Sequence, residues 1–88
     1  MQEQYDLAEL RRQIDRVDEQ LVQLLNERAR LSLQAGIAKN WKDIYRPERE
    51  KQVVSHVTSV SNGPLSNEAV TEIFQKIIEI CRAIQRNK

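Results

Sequence analysis

The chain has 88 residues, of which 40% are hydrophobic and 5% aromatic, enough aliphatic material for one small helical domain. Fourteen basic and thirteen acidic residues are interspersed and leave a net charge of +1, which argues against a nucleic-acid partner. One cysteine and one histidine exclude an internal disulfide and a metal site built by one chain, and no apolar run is long enough for a membrane span. We therefore expect a cytoplasmic protein without a metal or other cofactor.

Apolar residues at alternating steps of three and four predict one long helix at the start of the chain. They are Leu7, Leu10, Ile14, Val17, Leu21 and Leu24, and the pattern resumes at Leu31, Ala35 and Ala38. Asp6 followed by Glu9 is typical of a helix N-terminal cap, and no proline follows before Pro47. Helix 1 is therefore expected from about residue 7 to about residue 40. At a rise of ~1.5 Å per residue it would be roughly 50 Å long.

Arg28 occupies the one position of this heptad seam where the pattern requires an apolar residue. A buried charge costs several kcal/mol unless it is paired, so either counter-charges lie near Arg28 or the seam opens there. Lys39 lies on the same helical face, roughly 16 Å away along the axis, and Ser32 lies between them. The two cations could bracket a small anion. Taken alone, however, Arg28 could fix the register of a helical dimer, and Lys39 could stabilise a helix end.

The rest of the chain is typical of two shorter helices. Pro47 with Glu48 and Glu50 predicts the start of helix 2, expected at about residues 47–61. "SNGPLS" ends it, and Ser66 caps helix 3, expected at about residues 66–86. The apolar face of helix 3 consists of Val70, Ile73, Phe74, Ile77, Ile78, Cys81 and Ile84. Gln85 places a polar amide on this stripe, which an exposed chain end would explain without any function.

Two short helices cannot cover the seam of so long a rod, since together they offer only about 35 residues of helix. A second copy of the chain is the simplest cover. We therefore expect one domain, residues 1–88, with an all-α fold of three helices that forms an intertwined homodimer around helix 1. Arg11 lies ~26 Å from Arg28 at helical rise, so it could approach the Arg28 face only from an antiparallel partner helix.

Three segments together resemble the all-helical class of chorismate mutases over about residues 7 to 86: "LRRQIDRVDEQLVQLLNERARLSLQAGIAK", "RPERE" and "IFQKIIEICRAIQ". "YRPERE" with "NGPLSNEAVTEIF" is most similar to the mutase domain that precedes prephenate dehydratase in bifunctional enzymes. The chain is thus expected to be a free-standing enzyme or one domain of a larger protein. The resemblance implies an isomerase that rearranges chorismate to prephenate in phenylalanine and tyrosine biosynthesis, with an arginine of the partner subunit in each site.

The resemblance also implies roles for the polar residues of the three helices. Arg11 of the partner subunit and Arg28 would hold the two substrate carboxylates. Lys39 and Gln85 would donate hydrogen bonds to the ether oxygen, where negative charge grows during the rearrangement. Glu50 would accept a hydrogen bond from the ring hydroxyl. The dianionic substrate, bound in the pocket, would then compensate the positive charge that Arg28 brings to the heptad seam.

Four further positions complete the expected site or depart from the family pattern. Arg49 would support a carboxylate, and Ser32 would line the pocket. Cys81 stands where family members often have serine, and Arg46 stands where they often have an acidic residue. Substrate affinity is expected to fall unless Cys81 makes only a minor contact and Arg46 acts mainly through its backbone N–H.

Two other functions fit parts of the pattern. An isochorismate-pyruvate lyase resembles the same fold and uses a similar cationic pocket, but such lyases tend to carry an apolar residue at the position of Glu50. The other is a helical module that binds a metabolite without turnover or that only dimerises, and a dimerisation role does not require Lys39 and Gln85. Trp41 and Tyr45 are expected to pack on the dimer rather than to shield the pocket.

Overall fold

A computed structural model describes residues 4–87, so residues 1–3 and 88 of the expected domain lie outside the described range. Three helices form, and residues 4–87 contain no strand. The helices are α1 (Leu7–Ala38), α2 (Pro47–Val60) and α3 (Asn67–Arg86). The predicted all-α fold with one very long N-terminal helix is confirmed. None of these helices combines the length and the apolar character needed to cross a lipid bilayer.

The helices begin at residues whose chemistry suits a helix N-terminus. The Asp6 carboxylate accepts a hydrogen bond from the Ala8 amide at 3.0 Å, and Ser66 Oγ accepts one from the Ala69 amide at 3.1 Å. Pro47 is the first residue of α2, where a missing N–H costs nothing. Glu9 does not complete the expected cap but pairs with Arg12 at 2.6 Å. Asp6 and Ser66 thus cap α1 and α3 as the sequence predicts.

α1 ends at Ala38, slightly before the end expected from the heptad pattern, because Trp41 folds back over Gly36. The Trp41 amide donates to the Gly36 carbonyl oxygen at 2.7 Å, and Asn40 and Trp41 have φ angles of 56° and 59°. Residues other than glycine rarely adopt this left-handed conformation, so the turn depends on contacts that stabilise it. The ring of Trp41 fills the space that a β-carbon at Gly36 would need. Gly36 therefore permits the approach that ends the helix.

Replacing Gly36 by alanine should lower the free energy of unfolding by about 2 kcal/mol. A β-carbon there would lie 2.6 Å from Trp41 Cε3, an overlap that costs up to about 3 kcal/mol, while the higher helix propensity of alanine offsets about 1 kcal/mol. Chemical denaturation at one fixed protein concentration measures the change. In a Trp41→Ala background the same substitution should stabilise the chain. An equal loss in both backgrounds would contradict the proposed contact.

The helices of one chain cover only part of α1. The radius of gyration is 16.7 Å, compared with about 12 Å for a compact chain of this length. The accessible surface is 7513 Å², compared with about 5,400 Å² for a compact monomer of this mass. Large hydrophobic side chains stay exposed along α1, among them Leu7, Ile14, Val17, Leu21 and Leu24. We refer to these five residues as the open face of α1.

The buried part of the chain is centred on α3, which packs against both α1 and α2. Val70, Ile78, Cys81 and Gln85 of α3 are buried, and Gly36 is the buried residue of α1. α2 contains no buried residue. α3 is thus the element that brings residues from the C-terminal half of α1 and from α2 to one place.

Candidate active site

A small cavity of about 100 Å³ lies where α1, α2, α3 and the loop of residues 39–46 meet. Five cationic side chains and one carboxylate help to line it: Arg28, Lys39, Arg46, Arg49, Arg82 and Glu50. Cys81 lines it as well. The excess of positive charge in a confined space favours a negatively charged ligand. Five residues predicted for the site from the sequence, Arg28, Lys39, Arg49, Glu50 and Cys81, therefore lie around one cavity.

Arg28 is partly buried and reaches from α1 to α3. Its Nη1 donates a hydrogen bond to Cys81 Sγ at 3.3 Å, and sulfur is a weak acceptor. No salt bridge to Arg28 occurs within residues 4–87. The charge on the heptad seam therefore lacks a carboxylate partner in the described chain, and its guanidinium has further donors for an anion.

Lys39 follows the last helical residue of α1 and is partly buried. Its Nζ donates to the carbonyl oxygen of Asp43 at 3.2 Å, across a turn in which Asp43 has a φ of 52°. An ammonium group has three donors, so this bond can orient Lys39 and leave others for a ligand. The turn after α1 thus fixes one cation at the edge of the cavity.

Gln85 is 6% exposed, which rules out the explanation that it belongs to an exposed chain end. Its Nε2 donates to the carbonyl oxygen of Ser32 at 2.6 Å and to Ser32 Oγ at 3.0 Å. This contact lies one helical turn beyond the contact of Arg28 with Cys81 on both helices. Neither Ser32 nor Gln85 lines the cavity, so the amide of Gln85 must leave Ser32 before it can contact a ligand there.

Arg82 is the site residue that the sequence reasoning missed. Its Nη1 donates to Glu50 Oε2 at 2.7 Å, and its Cζ lies 4.7 Å from the centroid of the Tyr45 ring. The one signal in the sequence is its place beside Cys81 and one turn after Ile78, at the flank of the apolar stripe. The carboxylate expected to bind the ring hydroxyl is thus paired with a cation from α3.

Arg11 is exposed on the N-terminal part of α1 and does not line the cavity of its own chain. At helical rise it lies ~26 Å from Arg28. This placement agrees with the expectation that Arg11 cannot join the Arg28 site within one chain.

A larger groove of about 520 Å³ shares Glu50, Ile78 and Arg82 with the small cavity. Its other charged residues are Lys51 and Glu79, which have opposite signs. The groove therefore lacks the converging cations that an anionic substrate requires, and the small cavity is the better candidate site despite its size. Within residues 4–87 no cluster of three or more metal-ligand side chains occurs.

Comparison with known proteins identifies the family. Residues 10–86 match the family model described as chorismate mutase type II. The chain belongs to this family. It is 37% identical over 98% of its length to the bifunctional chorismate mutase/prephenate dehydratase of Pseudomonas aeruginosa, and it spans 26% of that protein. It is 32% identical over 91% of its length to the chorismate mutase of Methanocaldococcus jannaschii, of which the match covers 84%.

Membership of the chorismate mutase type II family confirms the resemblance inferred from the sequence motifs. A similar relation holds to the bifunctional chorismate mutase/prephenate dehydratase of Aquifex aeolicus, at 36% identity over 92% of this chain. The chain thus spans about a quarter of the length of the bifunctional relatives, 26% and 24% in these two cases.

The two departures from the chorismate mutase pattern both lie at the cavity. Arg46 lines it and adds a cation where the resemblance had implied an acidic residue. Cys81 is buried and accepts the hydrogen bond from Arg28. A thiol sulfur is a weak acceptor, so this bond holds the Arg28 guanidinium only loosely.

Proposed function

We propose that the chain is a chorismate mutase, an isomerase that converts chorismate to prephenate in phenylalanine and tyrosine biosynthesis. The observation that carries this proposal is the convergence of Arg28, Lys39 and Glu50 on one cationic cavity in a member of this family. The rearrangement occurs within one dianionic molecule, so the site needs no nucleophile and no proton shuttle. It has to hold the substrate in a compact conformation and stabilise negative charge on the ether oxygen.

The cationic residues suit the charged parts of this substrate. Arg28 and Arg11 of the partner subunit would each hold a carboxylate, because a guanidinium fork matches carboxylate geometry. Arg49, which lines the same cavity, would support the carboxylate side. Lys39 would donate to the ether oxygen, since its ammonium is already oriented by the carbonyl group of Asp43.

The neutral and acidic residues would complete the contacts. Gln85 would exchange Ser32 for the ether oxygen, and the Ser32 hydroxyl would remain nearby to guide the released amide. Glu50 would accept a hydrogen bond from the ring hydroxyl. Cys81 would hold Arg28 from the side of α3.

An intertwined homodimer is part of the proposal, because one chain provides too little cavity and too much apolar surface. The cavity of about 100 Å³ is well below the ~300 Å³ at which ligand pockets usually begin. The open face of α1 lies on the same helix as Arg11, so a partner that covers this face would bring its own Arg11 along. A homodimer therefore accounts for both deficits at once.

Replacing Leu21 by aspartate should convert the homodimer to monomers at micromolar concentration. Leu21 belongs to the open face of α1 and is 49% exposed in one chain, so in the dimer the new carboxylate would lack a partner. Sedimentation velocity measures the mass. Asn26→Asp is the matched control, because it adds the same charge on the opposite side of α1 and should leave the dimer intact. A dimeric Leu21→Asp chain would contradict this interface.

The direct test of the function is to mix the purified chain with chorismate and follow the loss of its ultraviolet absorbance. Formation of prephenate is the expected result, and isochorismate in a parallel reaction should yield no pyruvate. A folded chain that leaves chorismate unchanged would refute the proposal. The bifunctional relatives also carry a prephenate dehydratase, so a fused or associated dehydratase belongs to the proposal. A cytoplasmic location does too, and it suits the free thiol of Cys81.

A further inference from the structure

The ion pair between Glu50 and Arg82 joins two helices at the candidate site. Arg82 Nη1 and Glu50 Oε2 are 2.7 Å apart, and the two side chains are only 22% and 27% exposed. Ion pairs on the open surface contribute little, because water competes for both partners. This pair is mostly sheltered and short, so it restricts both side chains more than an exposed pair would. It is therefore a candidate for a defined role in the site.

We propose that Arg82 is a positioning residue that holds the Glu50 carboxylate in place for the ring hydroxyl of the substrate. This inference rests on the proposed chorismate mutase function. Arg82 contacts one carboxylate oxygen, Oε2, and no other hydrogen bond to this carboxylate occurs within residues 4–87. The other oxygen, Oε1, is thus left to accept a hydrogen bond from the substrate hydroxyl. The carboxylate is already oriented before the substrate binds.

Glu50 needs such support because its own helix does not provide it. α2 contains no buried residue, and a glutamate side chain has three rotatable bonds whose freedom is lost when it binds a ligand. Arg82 comes from α3, between the buried residues Cys81 and Gln85. The best packed helix of the chain therefore supplies the group that orients a carboxylate on a helix without a buried residue.

Tyr45 restricts Arg82 in turn. The guanidinium carbon lies 4.7 Å from the centroid of the Tyr45 ring, a cation–π distance. With one face against the ring and Nη1 on Glu50, the arginine is held at two points. Contacts thus run from Tyr45 in the loop before α2 to Arg82 on α3, and from Arg82 to Glu50 at the start of α2.

Kinetics of single and double variants test this role. Arg82→Met should lower kcat/KM for chorismate about 10- to 30-fold, mostly through a higher KM, because the ring hydroxyl itself forms and breaks no bond in the rearrangement. Glu50→Ala should cause a similar loss. In the Glu50→Ala background, Arg82→Met should change kcat/KM less than about threefold, since Arg82 acts through Glu50.

Three further variants separate positioning from folding. Arg82→Lys keeps the charge without the fork and should give an intermediate KM. Tyr45→Leu should raise KM several-fold, whereas Tyr45→Phe keeps the aromatic face and should leave KM unchanged. Thermal unfolding of every variant is followed in parallel. A KM that rises while the unfolding temperature stays constant supports positioning.

Distinct results would overturn the inference. If Arg82→Met has normal kinetics while the wild-type chain turns over chorismate, the proposed function stands and the role of Arg82 fails. If the losses of Arg82→Met and Glu50→Ala multiply in the double variant, Arg82 acts independently of Glu50 and the positioning role fails. A wild-type chain without turnover overturns the function and this inference together.

Discussion

Replacing Lys39 by alanine should lower kcat for chorismate about 100- to 1,000-fold and leave the fold intact. Lys39 is the cation whose ammonium would meet the growing charge on the ether oxygen, and loss of one such donor from a sheltered site typically costs 10²- to 10³-fold. Within residues 4–87 the one hydrogen bond of the Lys39 side chain goes to the backbone carbonyl group of Asp43, so its removal leaves no side-chain polar group unpaired. Fixed-time assays of prephenate formation measure the decrease in kcat.

Lys42→Ala is the matched control for this prediction. Lys42 is an exposed lysine of the same turn and does not line the cavity, so its removal should change kcat by less than about twofold. Circular dichroism checks that both variants stay helical. If the Lys39→Ala chain keeps half of the wild-type kcat, Lys39 does not stabilise the transition state.

Mixing two inactive variants should restore activity if each site contains residues of both chains. Arg11→Ala and Arg28→Ala chains should each be nearly inactive as homodimers, because every site lacks one carboxylate ligand. In a heterodimer, one site combines an intact Arg28 with an intact Arg11, and the other lacks both. Random exchange makes half of the dimers heterodimers, so the mixture should reach about one quarter of wild-type activity.

A second mixture controls for this complementation. Arg28 and Lys39 line the same cavity of one chain, so Arg28→Ala and Lys39→Ala chains should not restore each other. Subunit exchange is verified with one variant carrying an affinity tag. Absence of recovery between Arg11→Ala and Arg28→Ala after proven exchange would refute the shared site.

The fold was largely predictable because each helix has a local signal. The heptad spacing of α1, Pro47 at the start of α2 and the Ser66 cap of α3 all act within a few residues, and the structure contains each element. The end of α1 was less predictable. Gly36 signals only weak helix propensity in the sequence, whereas its structural role is the close approach of Trp41, a contact that no periodic pattern encodes.

The site was predictable in part. The placement of Arg28 and Lys39 at one cavity follows from helical geometry along a single rod. The start of helix 2 near the loop after Lys39 already placed Glu50 close by, but its role in the site followed only from the family resemblance. Arg82 could not be found in this way, because its importance lies in a partner on another helix, and a polar residue at the flank of an apolar stripe is usually only solvated. The stacking of Arg82 on Tyr45 could not be predicted either, because Tyr45 lies in the loop before α2 and not on the helix of Arg82.

The open face of α1 has a consequence for the amount of active enzyme. In the proposed homodimer each site takes Arg11 from the partner subunit, so a chain would gain activity only by meeting another copy. Below the dissociation constant, the number of pairs rises with the square of the chain concentration, so doubling the supply of chain raises the number of working sites about fourfold. Catalytic output then responds to expression more steeply than it would for a monomer, and dilution alone is enough to switch it off.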